Sequence, residues 1–200
     1  MSTDSPPSTV DDAPVGGGAP AKRRSRRWIV EWGIIVVIAV VVAVLVRAFV
    51  FQTFFIPSTS MYPTLQPGDR IVVNKLSGTP STGEIVVFRR PPREDCGGPV
   101  VPDLVKRVIG LPGQTIQGKS GVVYINGKRL AEPWLPGPTY KSSPATSNFG
   151  PLVVPKGDYF MMGDNRTDSC DSRDWGPLPG SYIVGQVIMR IWPLGRIGFF

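Results

Sequence analysis

Residues Ile56-Pro57-Ser58-Thr59-Ser60-Met61-Tyr62-Pro63-Thr64-Leu65 follow directly on an apolar run and set several hydroxyls between two prolines. Each proline fixes its own φ near roughly −65° and turns the residue before it away from helix. A helix arriving from upstream must therefore stop, and the chain continues as an extended, well-held loop with Ser60 at its middle. Such a loop is either a Ser/Thr/Pro linker leaving a membrane or the seat of a nucleophile. The flanking sequence decides between them.

Upstream, the uncharged run Trp32–Val46 is 15 residues long, short of the roughly 20 that a bilayer core needs. Glu31 and Arg47 lie near its ends, where long charged side chains can reach the interface, so Trp28–Phe51 makes a full span. Trp28, Trp32, Phe49 and Phe51 supply interfacial aromatics at both ends. A cleaved secretory signal would have a shorter apolar core and a small-residue exit, whereas Phe49–Phe55 is bulky. Lys22, Arg23, Arg24, Arg26 and Arg27 precede the span against one Arg shortly after it, which puts the N-terminus in the cytoplasm. The expected organisation is a disordered basic cytoplasmic tail at 1–27, a single transmembrane helix at 28–51 and an extracytoplasmic domain at 52–200.

Downstream, short apolar runs alternate with turn residues. Strands are expected at Arg70–Lys75, Glu84–Phe88, Leu104–Ile109, Gly121–Asn126, Lys128–Leu130, Asp158–Met162 and Tyr182–Trp192, with Asn126-Gly127 as a hairpin turn. Residues 133–157 hold six prolines and little periodicity, and read as a long surface excursion. The fold class is mainly β, an antiparallel domain behind one N-terminal helix.

Composition narrows the chemistry. The 200 residues include no histidine and two cysteines, which removes Ser-His-Asp and Cys-His catalysis and the usual zinc sites. No metal or cofactor is implied. The net charge of +7 would suit nucleic acid, but no recognition helix or aromatic-basic RNA motif accompanies it, so anionic lipid is the expected counterpart. A nucleophilic serine here needs a neutral lysine amine as its base. Burial among apolar strand residues can lower a lysine pKa enough, and Lys106 is the lysine set inside a strongly apolar strand, Leu104–Ile109. The same residue could equally line the exposed face of an edge strand.

A third segment, Met162–Gly176, is dense in Asp, Asn, Ser and Arg. Asp164, Asp168 and Asp171 invite a calcium loop, but the spacing departs from the twelve-residue pattern and no terminal Glu is present. Asn165-Arg166-Thr167 matches a glycosylation sequon, a weak pattern. A polar scaffold remains, with Ser169 or Ser172 to orient a side chain and Asp171–Arg173 as a charge pair.

Taken in order, Pro57–Leu65, Gly68–Lys75, Gly83–Phe88, Lys106–Gly113 and Gly163–Arg173 resemble, with the N-terminal anchor, the bacterial type I signal peptidases, in the compact form of Gram-positive bacteria. The resemblance spans about residues 28–198. It implies a membrane-bound serine endopeptidase with an antiparallel signal-peptidase-like β-fold, acting without cofactor on the signal peptides of exported preproteins. Ser60 matches the nucleophile and Lys106 the general base. Ser58 matches the serine whose hydroxyl joins the Ser60 N–H in the oxyanion hole, and Ser169 the one that orients the lysine amine. Asp171 and Arg173 match a supporting ion pair, and Asp164 and Asn165 fall in the same scaffold box. The substrate pockets would include Phe54, Ile56, Met61, Leu65, Leu104 and Val105. A monomer is expected, docked on membrane lipid.

Outside the cytoplasm Cys96 and Cys170 are expected to form a disulfide tethering the 91–102 loop to this scaffold. The apolar C-terminus, Trp192–Phe200, either closes the core or docks on lipid. Two other readings share parts of the pattern: a self-cleaving Ser/Lys repressor-type peptidase, which the anchor and the missing DNA-binding module oppose, and a non-catalytic anchored β-module.

Overall fold

The structure, a computed structural model, describes residues 23–97, 100–137 and 148–200. Residues 1–22 of the tail expected to be disordered, 1–27, and the middle of the Pro-rich excursion fall outside the described residues. The chain divides into two units, Met1–Ala43 and Val44–Phe200.

Helix α1 covers Arg23–Phe49. Within it Arg27–Arg47, 21 residues with a mean hydropathy of 3.0, is long and apolar enough to cross a membrane. Its described side chains are exposed all round, the pattern of a helix whose solvent is lipid. Both limits differ from the hydropathy reading. The helix already includes Arg23–Arg27, because unbroken helix formers lead into the apolar run. It stops at Phe49, and Phe51 opens strand β1 (Phe51–Phe55) by pairing with Asn74.

The second unit is mainly β, and every strand pair in it is antiparallel. The strands after β1 are β2 (Arg70–Asn74), β3 (Ile85–Arg89), β4 (Asp103–Gly110), β5 (Thr115–Lys119), β6 (Val122–Ile125), β7 (Lys128–Arg129), β8 (Phe149–Val153), β9 (Asp158–Met162), β10 (Leu178–Pro179), β11 (Ile183–Trp192) and β12 (Gly198–Phe199). One sheet runs β1-β2-β11-β3-β4-β9-β10, with β12 on β11, and the other runs β7-β6-β5-β8. The hairpin between β6 and β7 turns at Asn126 and Gly127 with φ of 51° and 76°, the left-handed pair that a two-residue hairpin turn needs.

Strand β8 lies inside the stretch read as a surface excursion, and Leu135 and Val154 from the same stretch are buried. Its sequence, Phe-Gly-Pro-Leu-Val, lacks alternation. The ladder to β5 makes it a strand, a case of pairing overriding propensity.

Three apolar clusters hold the unit together. Ile56, Met61 and Leu65 drop from the Pro57–Pro63 loop onto Ile71, Val73, Ile85, Val87 and Val187. Val86, Phe88, Val108 and Met161 pack with Trp175 and Leu178. Ile109, Phe160 and Met162 of the first sheet meet Ile116, Val123 and Val154 of the second. A Cβ on Gly110 would overlap Ile116, so the two sheets approach closely only over a glycine at this point.

Candidate active site

The loop carrying Ser60 is closed at its neck, where Ile56 N donates to Asp69 O and Gly68 N to Ile56 O, both at 2.9 Å. Inside, Tyr62 N donates to Thr59 O and Leu65 N to Met61 O. Ile56, Met61 and Leu65 thus point into the core while Ser58 is exposed and Ser60 half-buried. The base of the loop is clamped by Asp69, a buried carboxylate that accepts from Gln66 N at 2.9 Å and pairs with Arg190 and Arg196. Arg190 also donates to Thr64 O at 2.7 Å.

Strand β4 supplies Lys106. It is an interior strand, with β3 on one side along Asp103–Arg107 and β9 on the other only from Arg107 onward. Lys106 thus sits on a stretch of β4 with one side unpaired, and it is its burial that rules out the exposed-face reading. Its side chain is 4% exposed, and burial pushes its pKa from 10.5 down to about 8, against the opposing pull of Asp171. Successive residues of a strand face opposite ways. Lys106 accordingly lines a cavity, whereas Arg107 turns to Asp164, giving Nε–Oδ1 and Nη2–Oδ2 bonds of 2.8 and 2.6 Å, and to Gly83 O.

The segment between β9 and the short helix α2 (Ser172–Trp175) forms the third wall. Asp171 caps α2 in a capping box with Asp174. Its buried carboxylate accepts from Gly163 N at 2.9 Å and from Arg173 Nε and Nη2, both at 2.8 Å. Arg173 also donates to the Arg166 and Ser169 carbonyl oxygens, which fixes the intervening residues. This segment grips the serine loop directly. Asn165 N donates to Ser60 O at 3.0 Å, Asn165 Nδ2 to Thr59 O at 3.2 Å, Thr59 Oγ1 to Asp168 at 2.5 Å, and Thr64 Oγ1 to Asp164 at 2.5 Å. A Cβ on Gly163 would overlap Ser169 Oγ and the Ser60 carbonyl oxygen.

Together these walls enclose a cavity of about 330 Å³. Phe54, Ile56, Met61, Val87, Leu104 and Val105 form its apolar side, and Ser58, Ser60, Lys106 and Asp168 reach it from the polar side. Of the pocket residues expected from sequence, Leu65 is not among those lining the cavity and is packed behind it in the core. Ser58 Oγ and Ser60 Oγ are 3.3 Å apart. Ser169 Oγ is buried beside Gly163 and makes no hydrogen bond. Cys96 and Cys170 are joined as a disulfide, with Cα atoms 6.0 Å apart.

Glu132 and Trp134 are among the supporting residues not read from the sequence. Glu132 forms a buried ion pair with Arg166, whose Nε donates to Gly163 O at 3.0 Å, and Trp134 covers the Arg107 guanidinium at 5.0 Å. Both come from a Pro-rich stretch. A lone carboxylate between Leu130 and Trp134 was the one available signal.

Comparison with known proteins shows the family of the chain. Residues 29–192 match the family model described as signal peptidase, peptidase S26. The chain is 42% identical over 185 residues to signal peptidase I T of Bacillus subtilis strain 168, covering 88% of this chain and 92% of that protein. It is 38% identical over 228 residues to signal peptidase I of Mycobacterium tuberculosis H37Rv, covering 90% and 76%. A crystal structure of a signal peptidase I from Enterococcus faecalis V583 aligns with a TM-score of 0.41 and 30% identity, over 55% of this chain and 97% of that one. With the family model matching most of its length, the chain belongs to the signal peptidase family, peptidase S26.

Proposed function

We propose that this chain is a membrane-bound serine peptidase that removes signal peptides from exported precursors, with Ser60 as nucleophile and Lys106 as general base. The observation that carries the assignment is one cavity lined by both Ser60 and a lysine whose ammonium form is disfavoured by burial. The neutral Lys106 amine takes the Ser60 hydroxyl proton as Oγ attacks the scissile carbonyl carbon, and the resulting ammonium returns that proton to the departing amine. Water then hydrolyses the Ser60 ester. Ser58, 3.3 Å from Ser60, joins the Ser60 N–H in stabilising the oxyanion. Ser169, whose buried hydroxyl has no other engagement, orients the lysine amine, and the Asp171–Arg173 pair keeps that segment in position with Asp164 and Asn165.

The substrate enters as a strand. β1 is an edge strand, and Asp103–Lys106 are unpaired on the side that β9 does not reach. Backbone groups of an extended peptide can bond to such edges while alternate side chains enter pockets. Phe54, Ile56, Met61, Leu104 and Val105 line the apolar side, which suits small uncharged side chains.

The apolar helix makes this a membrane-associated protein. Its orientation follows from the basic residues before the span, with the domain from Gln52 onward outside the cytoplasm. Lipid contact extends to the C-terminus. Trp192, Leu194, Ile197, Phe199 and Phe200 are exposed rather than closing the core, and we assign them to the membrane surface.

Incubating the purified full chain in detergent with a secretory precursor, and sequencing the new N-terminus, tests the assignment. Ser60→Ala and Lys106→Ala should each abolish cleavage while leaving a folded, membrane-bound protein. Full activity in either variant refutes it.

A further inference from the structure

We propose that the described residues 90–97 and 100–102, stitched to the candidate catalytic segment by the Cys96–Cys170 disulfide, form a substrate-discriminating wall of the cleft, in which Glu94 and Val101 face the peptide and acidic substrate side chains are disfavoured. This rests on the peptidase reading above. Glu94, Gly97, Val101 and Cys170 line the same cavity as Ser60 and Lys106. Glu94, Gly97 and Val101 approach it from a part of the chain that supplies none of the proposed chemistry, and Cys170 is their tie to the segment that does.

Among its described residues the loop has few other ties. Its neck is closed by Arg90 N donating to Pro102 O at 2.8 Å. Arg90 then folds the first turn by donating from Nη2 to Glu94 O at 3.1 Å and pairing with the Glu94 carboxylate. Pro91 is buried, but Arg93, Asp95, Cys96, Gly97 and Val100 are exposed. A segment with so little apolar burial has low local stability, and the covalent tie to Cys170 is what fixes it against the cavity. Lys106 and Ser60, by contrast, are held without it, through the β3 ladder, the Asp171–Arg173 bonds and the Asn165 contact to Ser60 O. Releasing the disulfide should therefore loosen substrate docking and leave the catalytic pair in position.

Charge gives the wall its direction. Glu94, Asp103 and Asp168 all line the cavity, and the working form of Lys106 is neutral. A peptide carboxylate beside them meets like charge in a half-enclosed space, where screening by solvent is reduced. Arg90 is not among the lining residues and meets Glu94 from behind, fixing the carboxylate while offsetting part of its charge.

The test compares full-length enzyme before and after mild reduction, with reoxidation as the reversal and Cys96→Ser/Cys170→Ser as the genetic counterpart. Reduction should raise KM for a signal-peptide substrate about fivefold with kcat within about twofold, and the Ser60→Ala protein should lose affinity for the same labelled peptide to a similar extent. Glu94→Gln should narrow the preference for Lys-bearing over Glu-bearing substrates in a series substituted along the cleavage region. A fall in kcat at constant KM, or no change in either constant or in peptide affinity, overturns the wall. Oxidised wild-type enzyme that binds the peptide in a reduction-sensitive way without cutting it would overturn the peptidase reading and leave the wall standing.

Discussion

Replacing Lys106 by methionine should abolish activity and make the protein more stable. The side chain lies 4% exposed on an interior strand, and burial holds its pKa at about 8 instead of 10.5. Each tenfold loss of proton affinity corresponds to about 1.36 kcal/mol, so at neutral pH the buried ammonium costs about 3 kcal/mol relative to the unfolded chain. The sign follows from proton counting. Between about pH 8 and 10.5 the unfolded chain holds the lysine proton and the folded chain does not, so stability rises with pH across that window. Below it the full cost applies, and above it the cost vanishes. Methionine keeps the length and apolar stem and never carries the charge. Denaturant unfolding of the full-length protein in detergent, followed by tryptophan fluorescence, should show Lys106→Met more stable than wild type by about 2–3 kcal/mol at pH 7, with the difference closing by pH 10.5. A variant no more stable than wild type at pH 7, or equally advantaged at both pH values, refutes the claim that folding opposes the Lys106 charge.

The same depressed pKa predicts that kcat/KM rises with pH and levels off above about pH 8, falling about tenfold per pH unit on the acid side; initial rates on a peptide substrate give the profile. Gly163→Ala should lower kcat about a hundredfold, because its Cβ must displace Ser169 Oγ or the Ser60 carbonyl and shift the nucleophile; kcat and unfolding free energy measured together separate this from misfolding. Glu132→Ala should cost about 3 kcal/mol of stability by leaving the buried Arg166 charge uncompensated, with Glu132→Gln milder, as read by denaturant midpoints.

Strands β2, β3, β4, β9 and β11 were legible because each is rich in Val, Ile, Met or Phe within a few residues of turn-forming or charged residues. The second sheet was legible only in its hairpin. Thr-Ile-Gln-Gly-Lys and Phe-Gly-Pro-Leu-Val are poor strand sequences, and they become β5 and β8 because each satisfies the other's backbone. Strand β1 was hidden because the span was read through Phe51, where β1 in fact opens, and Gln52-Thr53 gives no alternation to mark a strand. The residues that gather at the cavity were more legible than the fold around them. A chain with no histidine leaves few bases for a serine, and burial is the main device that makes a lysine serve here. The clamps around it were not, since Glu132–Arg166, Trp134–Arg107 and Arg196–Asp69 join distant positions that no local pattern relates.

The position of β11 has a consequence for when this molecule can work. Ser60 hangs from β1 and β2 and Lys106 stands on β4 beside β3, yet β2 and β3 are not neighbours, and β11 lies between them. Residues 183–192 are synthesised long after residues 51–110. Until they arrive, Ser60 and Lys106 belong to two pieces of sheet with no strand between them. On the topology proposed above, the chain would cross the membrane without an assembled dyad, and activity would switch on only when nearly the whole domain had been delivered to the far side.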